Sequence, residues 1–235
     1  YYRQKEGRKM RTVVLTQETK KDLLDRLLKR SPNNYDSYTD TVNEIVNTVR
    51  KGGDQALHDY TLKFDKVDIS AGQMIVTEDE IKEAYSLVEP EVVEVIKKSA
   101  ENIRVYHEKQ KQYSWFDSKP DGTILGQKIT ALSKVGVYVP GGKAAYPSSV
   151  LMNIVPAKVA GVESIIMVTP PGKDGKVNPG TLVAADIAGC DVIYKVGGAQ
   201  AIAALAFGTE SIPKVDKITG PGNIFVALAK KAVFG

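Results

Sequence analysis

The stretch VGVYVPGGKAAYPSSVLMNIVPAKVAGVESIIMVT, residues 135–169, decides the fold of this chain. Within it, an apolar run over residues 135–139 predicts a strand, the segment 149–160 predicts a helix, and a second run over residues 164–169 predicts another strand. A strand, a helix of about ten residues and a further strand form a βαβ crossover, in which the strands lie parallel. The sequence therefore predicts an α/β fold.

The same alternation continues toward residue 235. Further predicted elements are a helix over 179–189, a strand over 192–196, a helix over 199–207, a strand over 217–219 and a helix from Asn223 onward. Parallel strands linked by helices predict a mainly parallel sheet. We assign residues 123–235 to this α/β domain.

The first part of the chain, residues 1–122, is predicted to be a helical region that packs on the α/β core. From residue 16 to about residue 112 it shows the apolar spacing of three and four residues that is typical of amphipathic helices. Capping residues or a proline mark the predicted helix starts: Thr16 with Thr19, Asp54, Thr77 with Glu80, and Pro90.

Two short β segments are predicted beside these helices. Residues 74–76 form a short strand, and residues 123–132 form a twisted strand or a hairpin with Gly126 at its bend. We find no internal repeat and no low-complexity segment.

Composition and charge exclude several classes of protein. Of the 235 residues, 43% are hydrophobic and 26% are charged, which is close to the average for globular domains. The net charge of +4 comes from 32 basic and 28 acidic residues spread along the chain, so the sequence lacks the basic stripe of a nucleic-acid-binding protein.

Localisation is predicted from what the sequence contains. The single cysteine excludes an internal disulfide framework and favours a reducing compartment, so we expect a cytoplasmic protein. No apolar run approaches the roughly 20 residues that span a bilayer, and the polar N-terminus lacks a secretory signal. The sequence leaves open whether residues 1–9 precede a native start at Met10.

Three glycine-bearing turns follow predicted strands: YVPGG at residues 138–142, GGAQA at 197–201 and GPGN at 220–223. In an open α/β sheet, such turns lie at one edge of the sheet, where ligands bind. Glycine turns and an asparagine at a helix start also occur for purely structural reasons. Together, the turns predict one cleft that contains Tyr138, Gln200 and Asn223, with free N–H groups at the helix start beside Gln200.

Several common sites are absent from the sequence. It has neither the GxGxxG dinucleotide fingerprint nor the GxxxxGK[ST] phosphate loop. His58 and His107 lie on predicted helices without a second histidine at metal-binding spacing, so we interpret both as packed or solvent-facing residues. Cys190 is predicted at the amino-terminal edge of the sheet, opposite the ligand edge, as a small buried hydrophobic residue.

The ordered motifs resemble those of the histidinol dehydrogenase family. The resemblance is carried by VGVYVPGGKAAYPSSVLMNIVPAKVAGV (135–162) and VGGAQAIAALAFGTESIPKVDKITGPGNIFVALAKK (196–231), with IVNTVRKGGDQALHDYTLKFD (45–65) and IRVYHEKQ (103–110) upstream. It covers nearly the whole chain in order. The resemblance implies the zinc-dependent oxidation of L-histidinol to L-histidine in two NAD-dependent steps, through histidinal.

The resemblance also implies a fold, an assembly and a cofactor site. The fold is an incomplete Rossmann-like sheet of the aldehyde-dehydrogenase type with helices on both faces, and the whole enzyme is a homodimer that shares active-site residues between subunits. The residues that contact NAD in this family correspond to Tyr138, Gln200 and Asn223.

One departure from the family pattern limits what this chain is expected to do alone. The family's zinc ligands and its Glu-His acid/base pair follow the GPGN helix, so they are expected downstream of Gly235. We therefore predict no catalytic and no metal-binding residue in this chain, and no activity of the chain by itself. Two alternatives stay open: a cysteine-dependent aldehyde dehydrogenase that uses Cys190, and a non-catalytic nucleotide- or metabolite-binding module.

Overall fold

The computed structural model describes residues 13–30, 35–141 and 146–234. The question of a native start at Met10 and the position of Gly142 in the YVPGG motif lie outside these residues. The chain divides into two compact units, with the division after Ser37. The predicted division between residues 122 and 123 stays a prediction.

The first unit contains helix α1 (Gln17–Arg30). Its predicted start is confirmed, because Thr16 and Thr19 exchange hydrogen bonds. The Thr19 backbone N–H donates to the Thr16 hydroxyl over 3.2 Å, and the Thr16 N–H donates to the Thr19 hydroxyl over 2.7 Å. These bonds satisfy donors that a helix start otherwise leaves unpaired.

Helix α2 (Asp36–Asp65) joins two predicted helices, with a kink at Gly53, whose φ is 52°. The prediction that Asp54 caps the second of them was wrong. The Asp54 carboxylate instead accepts hydrogen bonds from the Ser211 hydroxyl (2.5 Å) and the Ser211 N–H (3.3 Å). A contact with a distant loop thus replaces the local cap, and it holds the kink in place.

The helical region continues with a 3-10 turn (Ala71–Gln73), α3 (Glu78–Leu87) and α4 (Pro90–Glu108). The predicted capping box at the start of α3 is confirmed, because the Thr77 hydroxyl accepts from the Glu80 N–H and the Glu80 carboxylate accepts from the Thr77 N–H. The predicted strand over 74–76 is present only as one antiparallel bridge, from Ile75 to Tyr194.

Of the two alternatives predicted for residues 123–132, the strand is confirmed for Ile124–Gln127, whereas a hairpin with its bend at Gly126 was wrong. The structure pairs β1 (Trp115–Ser118) with β2 (Ile124–Gln127) in antiparallel orientation, and the turn lies between them rather than at Gly126. Gly126 is a strand residue opposite Phe116, and a side chain on it would overlap the Trp115 carbonyl group. A close approach of two strands, not a bend, accounts for this glycine.

The α/β part confirms the predicted fold class. The remaining elements are β3 (Lys134–Tyr138), α5 (Pro147–Val159), β4 (Ser164–Val168), α6 (Pro179–Ala188), β5 (Val192–Tyr194), α7 (Gly198–Phe207), β6 (Lys217–Thr219) and α8 (Ile224–Ala232). The strands form one parallel sheet in the order β5-β4-β3-β6.

Two hydrophobic clusters cover the two faces of this sheet. Along β4, Ile165 and Met167 belong to the cluster formed with α4, α5 and α6, whereas Ile166 and Val168 belong to the cluster formed with α2, α7 and α8. This alternation follows from the period of two in a strand. The sheet is thus buried on both faces, as expected for parallel strands. None of the helices among the described residues is both long and apolar enough to cross a bilayer.

Candidate functional site

The order of the strands determines where a ligand can bind. The chain passes from β3 to β4 and then to β5 on one side, and it returns through α7 to place β6 on the other side of β3. This reversal makes the carboxyl ends of β3 and β6 a topological switch point, where open α/β sheets form their ligand crevice. β3 ends at Tyr138, and Asn223 follows β6.

A cavity of about 500 Å³ lies at this switch point. Its walls contain all three residues that the sequence singled out, Tyr138, Gln200 and Asn223. The structure therefore brings together side chains that are far apart in the sequence. Ile45 of α2 and aromatic side chains such as Phe225 also border the cavity, so it offers apolar surface as well as polar groups.

Tyr138 is 4% exposed, and burial raises the pKa of its phenol. Its hydroxyl oxygen accepts a hydrogen bond from the Gly198 backbone N–H over 3.1 Å. The phenol is thus neutral near pH 7, because its pKa lies above the ordinary value of about 10. Since the oxygen accepts from Gly198, the hydroxyl hydrogen is directed elsewhere and can be donated to a ligand.

Gln200 lies in the first turn of α7 and is only 1% exposed. Among the described residues, its side-chain oxygen Oε1 has no hydrogen-bond partner. Leaving a buried acceptor unpaired costs about 1–3 kcal/mol, so such atoms in native structures call for an explanation. A ligand that donates a hydrogen bond in the cavity would satisfy this oxygen.

Asn223 has a structural role in addition to its place in the cavity wall. It is the N-cap of α8, where its Oδ1 atom accepts a hydrogen bond from the Val226 N–H over 3.1 Å. The cap occupies the carbonyl end of the side chain. The amide nitrogen is therefore the end that can donate to a ligand.

Asp65, the last residue of α2, is a site residue that the sequence analysis missed. Its Oδ2 atom is buried and, within the described part of the chain, has no hydrogen-bond partner. Burial raises the pKa of this carboxyl. The sequence contained one indication of this role. A helix C-terminus disfavours negative charge, so an aspartate at this position is unfavourable for the helix alone.

Glycines of two motifs allow the loops at the carboxyl edge of the sheet to pack closely. Pro170, which follows β4, lies against both Gly141 and Gly197, and a Cβ atom on either glycine would come too close to the proline ring. The loops after β3, β4 and β5 are therefore in direct contact. In the third motif, a Cβ atom on Gly220 would overlap the carbonyl oxygen of Tyr138.

A second cavity, of about 700 Å³, adjoins the first. The two cavities share Asp65, Pro140, Gly141 and Pro170 in their walls, so they adjoin at the carboxyl edge of the sheet, and together they are called the groove. The N-terminus of α7 opens into the first cavity, as its first residues Gly198, Ala199 and Gln200 line the wall. The Gly198 N–H is occupied by Tyr138, and a helix start leaves further N–H groups without intrahelical partners. Uncapped helix N–H groups favour anionic ligand groups such as phosphates.

The two histidines and the cysteine lie outside this groove. The ring of His58 pairs with Asp59 and Asp68, over 3.3 Å and 2.8 Å, on the surface of α2. Cys190 lies between α6 and β5, at the amino-terminal edge, and burial raises the pKa of its thiol to about 12. Residues 13–30, 35–141 and 146–234 contain no group of three side chains arranged to hold a metal ion.

A parallel sheet in the order β5-β4-β3-β6, with a groove at its switch point, defines a Rossmann-like α/β protein. The profile of the family described as histidinol dehydrogenase matches residues 28–235. The chain belongs to the histidinol dehydrogenase family.

Individual relatives agree with this assignment. The chain is 61% identical to histidinol dehydrogenase of Bacillus subtilis over 195 residues, covering 83% of the chain and 45% of the relative. It is 52% identical to that of Listeria innocua over 222 residues, covering 94% and 51%. A crystal structure of histidinol dehydrogenase from Elizabethkingia anophelis superposes with a TM-score of 0.79 at 39% identity, covering 83% of the chain and 44% of that structure. The chain thus spans about half the length of these relatives.

Proposed function

We propose that this chain is the NAD-binding part of a cytoplasmic L-histidinol dehydrogenase that oxidises L-histidinol to L-histidine in two steps through histidinal. One observation carries the proposal: Gln200, whose buried Oε1 atom is unpaired among the described residues, lines the same cavity as Tyr138 and Asn223. NAD offers amide and hydroxyl donors for Gln200 and aromatic rings for the apolar wall. It also has phosphates suited to the backbone N–H groups at the start of α7.

The residues of the chain would then bind and orient the dinucleotide. NAD itself supplies the acceptor for the hydride that leaves the substrate. The Tyr138 hydroxyl and the Asn223 amide can donate hydrogen bonds, Gln200 can accept one, and Ile45 with Phe225 can exclude water from the rings. None of these side chains is placed to act as a general base, because each is neutral near pH 7.

The zinc ion that the family implies does not fit the described residues, since they hold no group of three metal-ligating side chains. Oxidation of an alcohol also requires a base to accept the hydroxyl proton. From the family resemblance, we propose that the zinc ligands and the acid/base pair lie downstream of Gly235, and that this chain alone turns over no histidinol. Formation of NADH by the purified chain with L-histidinol would contradict this part of the proposal.

Homodimerisation is proposed for the whole enzyme. The hairpin supports a protein contact, because the side chains of Trp115, Phe116, Ile124 and Leu125 are 54–66% exposed. Exposed apolar groups of this kind mark contact surfaces. Sedimentation of a full-length enzyme with charged residues at Phe116 and Ile124 would test it, with a shift to monomer as the expected result.

The NAD site is tested by titrating NAD into the chain and its Gln200→Ala variant by calorimetry. We expect the variant to bind at least about tenfold more weakly, because about 1.4 kcal/mol, the value of one hydrogen bond, is lost. Gln112→Ala is the matched control, since Gln112 is exposed and lies outside the groove. Equal affinity of the chain and the Gln200 variant would remove Gln200 from the site.

The two alternatives differ from this proposal in what they require of the protein. A cysteine-dependent enzyme requires a thiolate on the ligand edge, whereas Cys190 is on the opposite edge with a raised pKa. A non-catalytic binding module would bind NAD or another metabolite in the groove, and a full-length protein of that kind would not reduce NAD with histidinol.

A further inference from the structure

Rossmann-like folds commonly carry an acidic residue near the end of the second strand, and this residue binds the ribose hydroxyls of the cofactor. In the present sheet, β3 is the first strand of the crevice and β4 is the second. β4 is followed by Thr169, Pro170 and Pro171, none of which is charged. The loop after β4 therefore supplies no carboxylate to accept hydrogen bonds from the ribose hydroxyls.

Asp65 reaches the same place from a different part of the chain. Asp65 and Pro170 line both cavities of the groove, so the end of α2 borders the same space as the loop that follows β4. The Asp65 carboxyl is also close enough to Tyr138 to raise the pKa of that phenol, after the larger effect of burial. Asp65 thus borders the cavity at the switch point.

The Oδ2 atom of Asp65 is buried and, in the part of the chain that the structure describes, receives no hydrogen bond. A carboxylate oxygen held away from water without a donor is unfavourable, and the raised pKa of Asp65 reflects this. A pair of neighbouring hydroxyl groups supplies the missing donors. Such a pair is present in the ribose of a nucleotide.

The neighbouring residue indicates which ribose this would be. Phe64 lines the 500 Å³ cavity, and its ring stacks on Tyr60 with ring centroids 5.5 Å apart and an angle of 3° between the planes. The stacking fixes one aromatic wall next to Asp65. The Lys63 Nζ atom also lies over the Phe64 ring, 5.4 Å from its centroid, so an adenine ring can pack beside this wall while its ribose extends toward the carboxyl group.

We propose that Asp65 binds the hydroxyl groups of the adenosine ribose and thereby selects NAD over its 2′-phosphorylated form, NADP. The inference rests on the proposed NAD site and names a specificity-determining residue in it. NADP lacks the free 2′-hydroxyl donor, and its phosphate places negative charge against the carboxylate. Both effects weaken the binding of NADP relative to NAD.

The test is a titration of NAD and of NADP into the full 235-residue chain, the Asp65→Asn variant and the Asp117→Asn variant. Asp117 is exposed on the hairpin, so its variant controls for the loss of one charge. For the wild-type chain we expect NADP to bind at least about tenfold more weakly than NAD. Asp65→Asn should weaken the binding of NAD and bring the affinities for NAD and NADP closer together. Asp117→Asn should change neither affinity.

The outcomes separate the two proposals. If the wild-type chain binds NAD but Asp65→Asn keeps the same ratio of NAD to NADP affinity, the role of Asp65 is overturned and the NAD site stands. If the wild-type chain binds neither dinucleotide, both proposals are overturned. A second measurement needs no variant: AMP should bind the wild-type chain more tightly than 2′-deoxy-AMP, and equal affinities would contradict the role of Asp65.

Discussion

The hydroxyl oxygen of Tyr138 accepts a hydrogen bond from the backbone N–H of Gly198 over 3.1 Å. This bond connects the end of β3 to the first turn of α7, so it joins two of the three glycine-bearing motifs directly. It also lies within the wall of the switch-point cavity. The geometry of the cavity therefore depends on a contact between a side chain and a backbone group 60 residues apart in the sequence.

Tyr138→Phe should remove this bond and leave the Gly198 N–H unpaired. We expect the free energy of unfolding to fall by about 1–2 kcal/mol, the usual cost of an unsatisfied buried donor. Urea denaturation of the wild-type chain and of Tyr138→Phe measures this difference in the free energy of unfolding. Tyr113→Phe is the control, because Tyr113 is 73% exposed and its variant should unfold at the wild-type urea concentration. Equal stability of Tyr138→Phe and Tyr113→Phe would contradict the structural role of the bond.

Gly220→Ala should be strongly destabilising. Gly220 has a φ of 102°, which residues other than glycine rarely adopt. A Cβ atom at this position would also overlap the Tyr138 carbonyl oxygen. We expect a loss of about 2–4 kcal/mol from backbone strain and overlap together. Gly72→Ala provides the comparison, since no atom lies within 4 Å of the added Cβ. Thermal unfolding followed by circular dichroism distinguishes them, and a similar midpoint for both variants would contradict the expectation.

The ion pair between Lys195 and Glu80 should make stability depend on pH. The Lys195 Nζ and Glu80 Oε1 atoms are 2.8 Å apart. The Lys195 side chain is only 10% exposed and the Glu80 side chain 21%. Burial alone would raise the pKa of Glu80, but hydrogen bonds from Lys195 and Thr77 lower it. A lowered pKa in the folded state means that the stabilisation is present above the pKa of unfolded glutamate and is lost as the pH falls through the folded value.

Glu80→Gln should therefore cost about 3 kcal/mol at neutral pH, because it leaves Lys195 without its counter-charge. The difference from wild type should shrink in acid, where wild-type Glu80 becomes protonated. Glu83→Gln is the matched control, since its pair with Lys176 is about half exposed and such pairs contribute less than about 1 kcal/mol. Urea denaturation over a pH series checks this, and a pH-independent difference for Glu80→Gln would argue against the assignment.

Cys190 should react slowly with iodoacetamide while the protein is folded. Its thiol donates to the carbonyl groups of Ile165 and Val192, and burial raises its pKa to about 12. The reactive thiolate is consequently scarce at neutral pH. Mass spectrometry should show little labelling in buffer and rapid labelling in urea. Rapid labelling of the folded chain would restore the cysteine-dependent alternative.

The α/β part could be predicted from the sequence because each strand-to-helix step has its own local signal. Apolar runs predicted β3, β4 and β5, and the three glycine turns marked the carboxyl ends of β3, β5 and β6. The positions of Tyr138, Gln200 and Asn223 in one cavity follow from parallel strand order, which the alternation of strands and helices already indicates. The contact of these residues with NAD stays a prediction.

The remaining features depend on contacts between distant segments. Asp54 has the local pattern of a helix cap, but the loop at Ser211 provides a stronger partner. The β1-β2 hairpin is exposed on both faces, so it has no alternation of apolar and polar residues to define its register. Asp65 ends a helix far from the glycine turns, and only the packing of α2 on the sheet brings it to the groove.

The position of Pro170 between Gly141 and Gly197 has a consequence for protein engineering. A larger residue at either glycine displaces the proline, and a displaced proline disturbs the turn on its other side. Redesign for a different ligand must consequently change three loops simultaneously, since single substitutions on this edge meet a steric obstacle from the neighbouring turn.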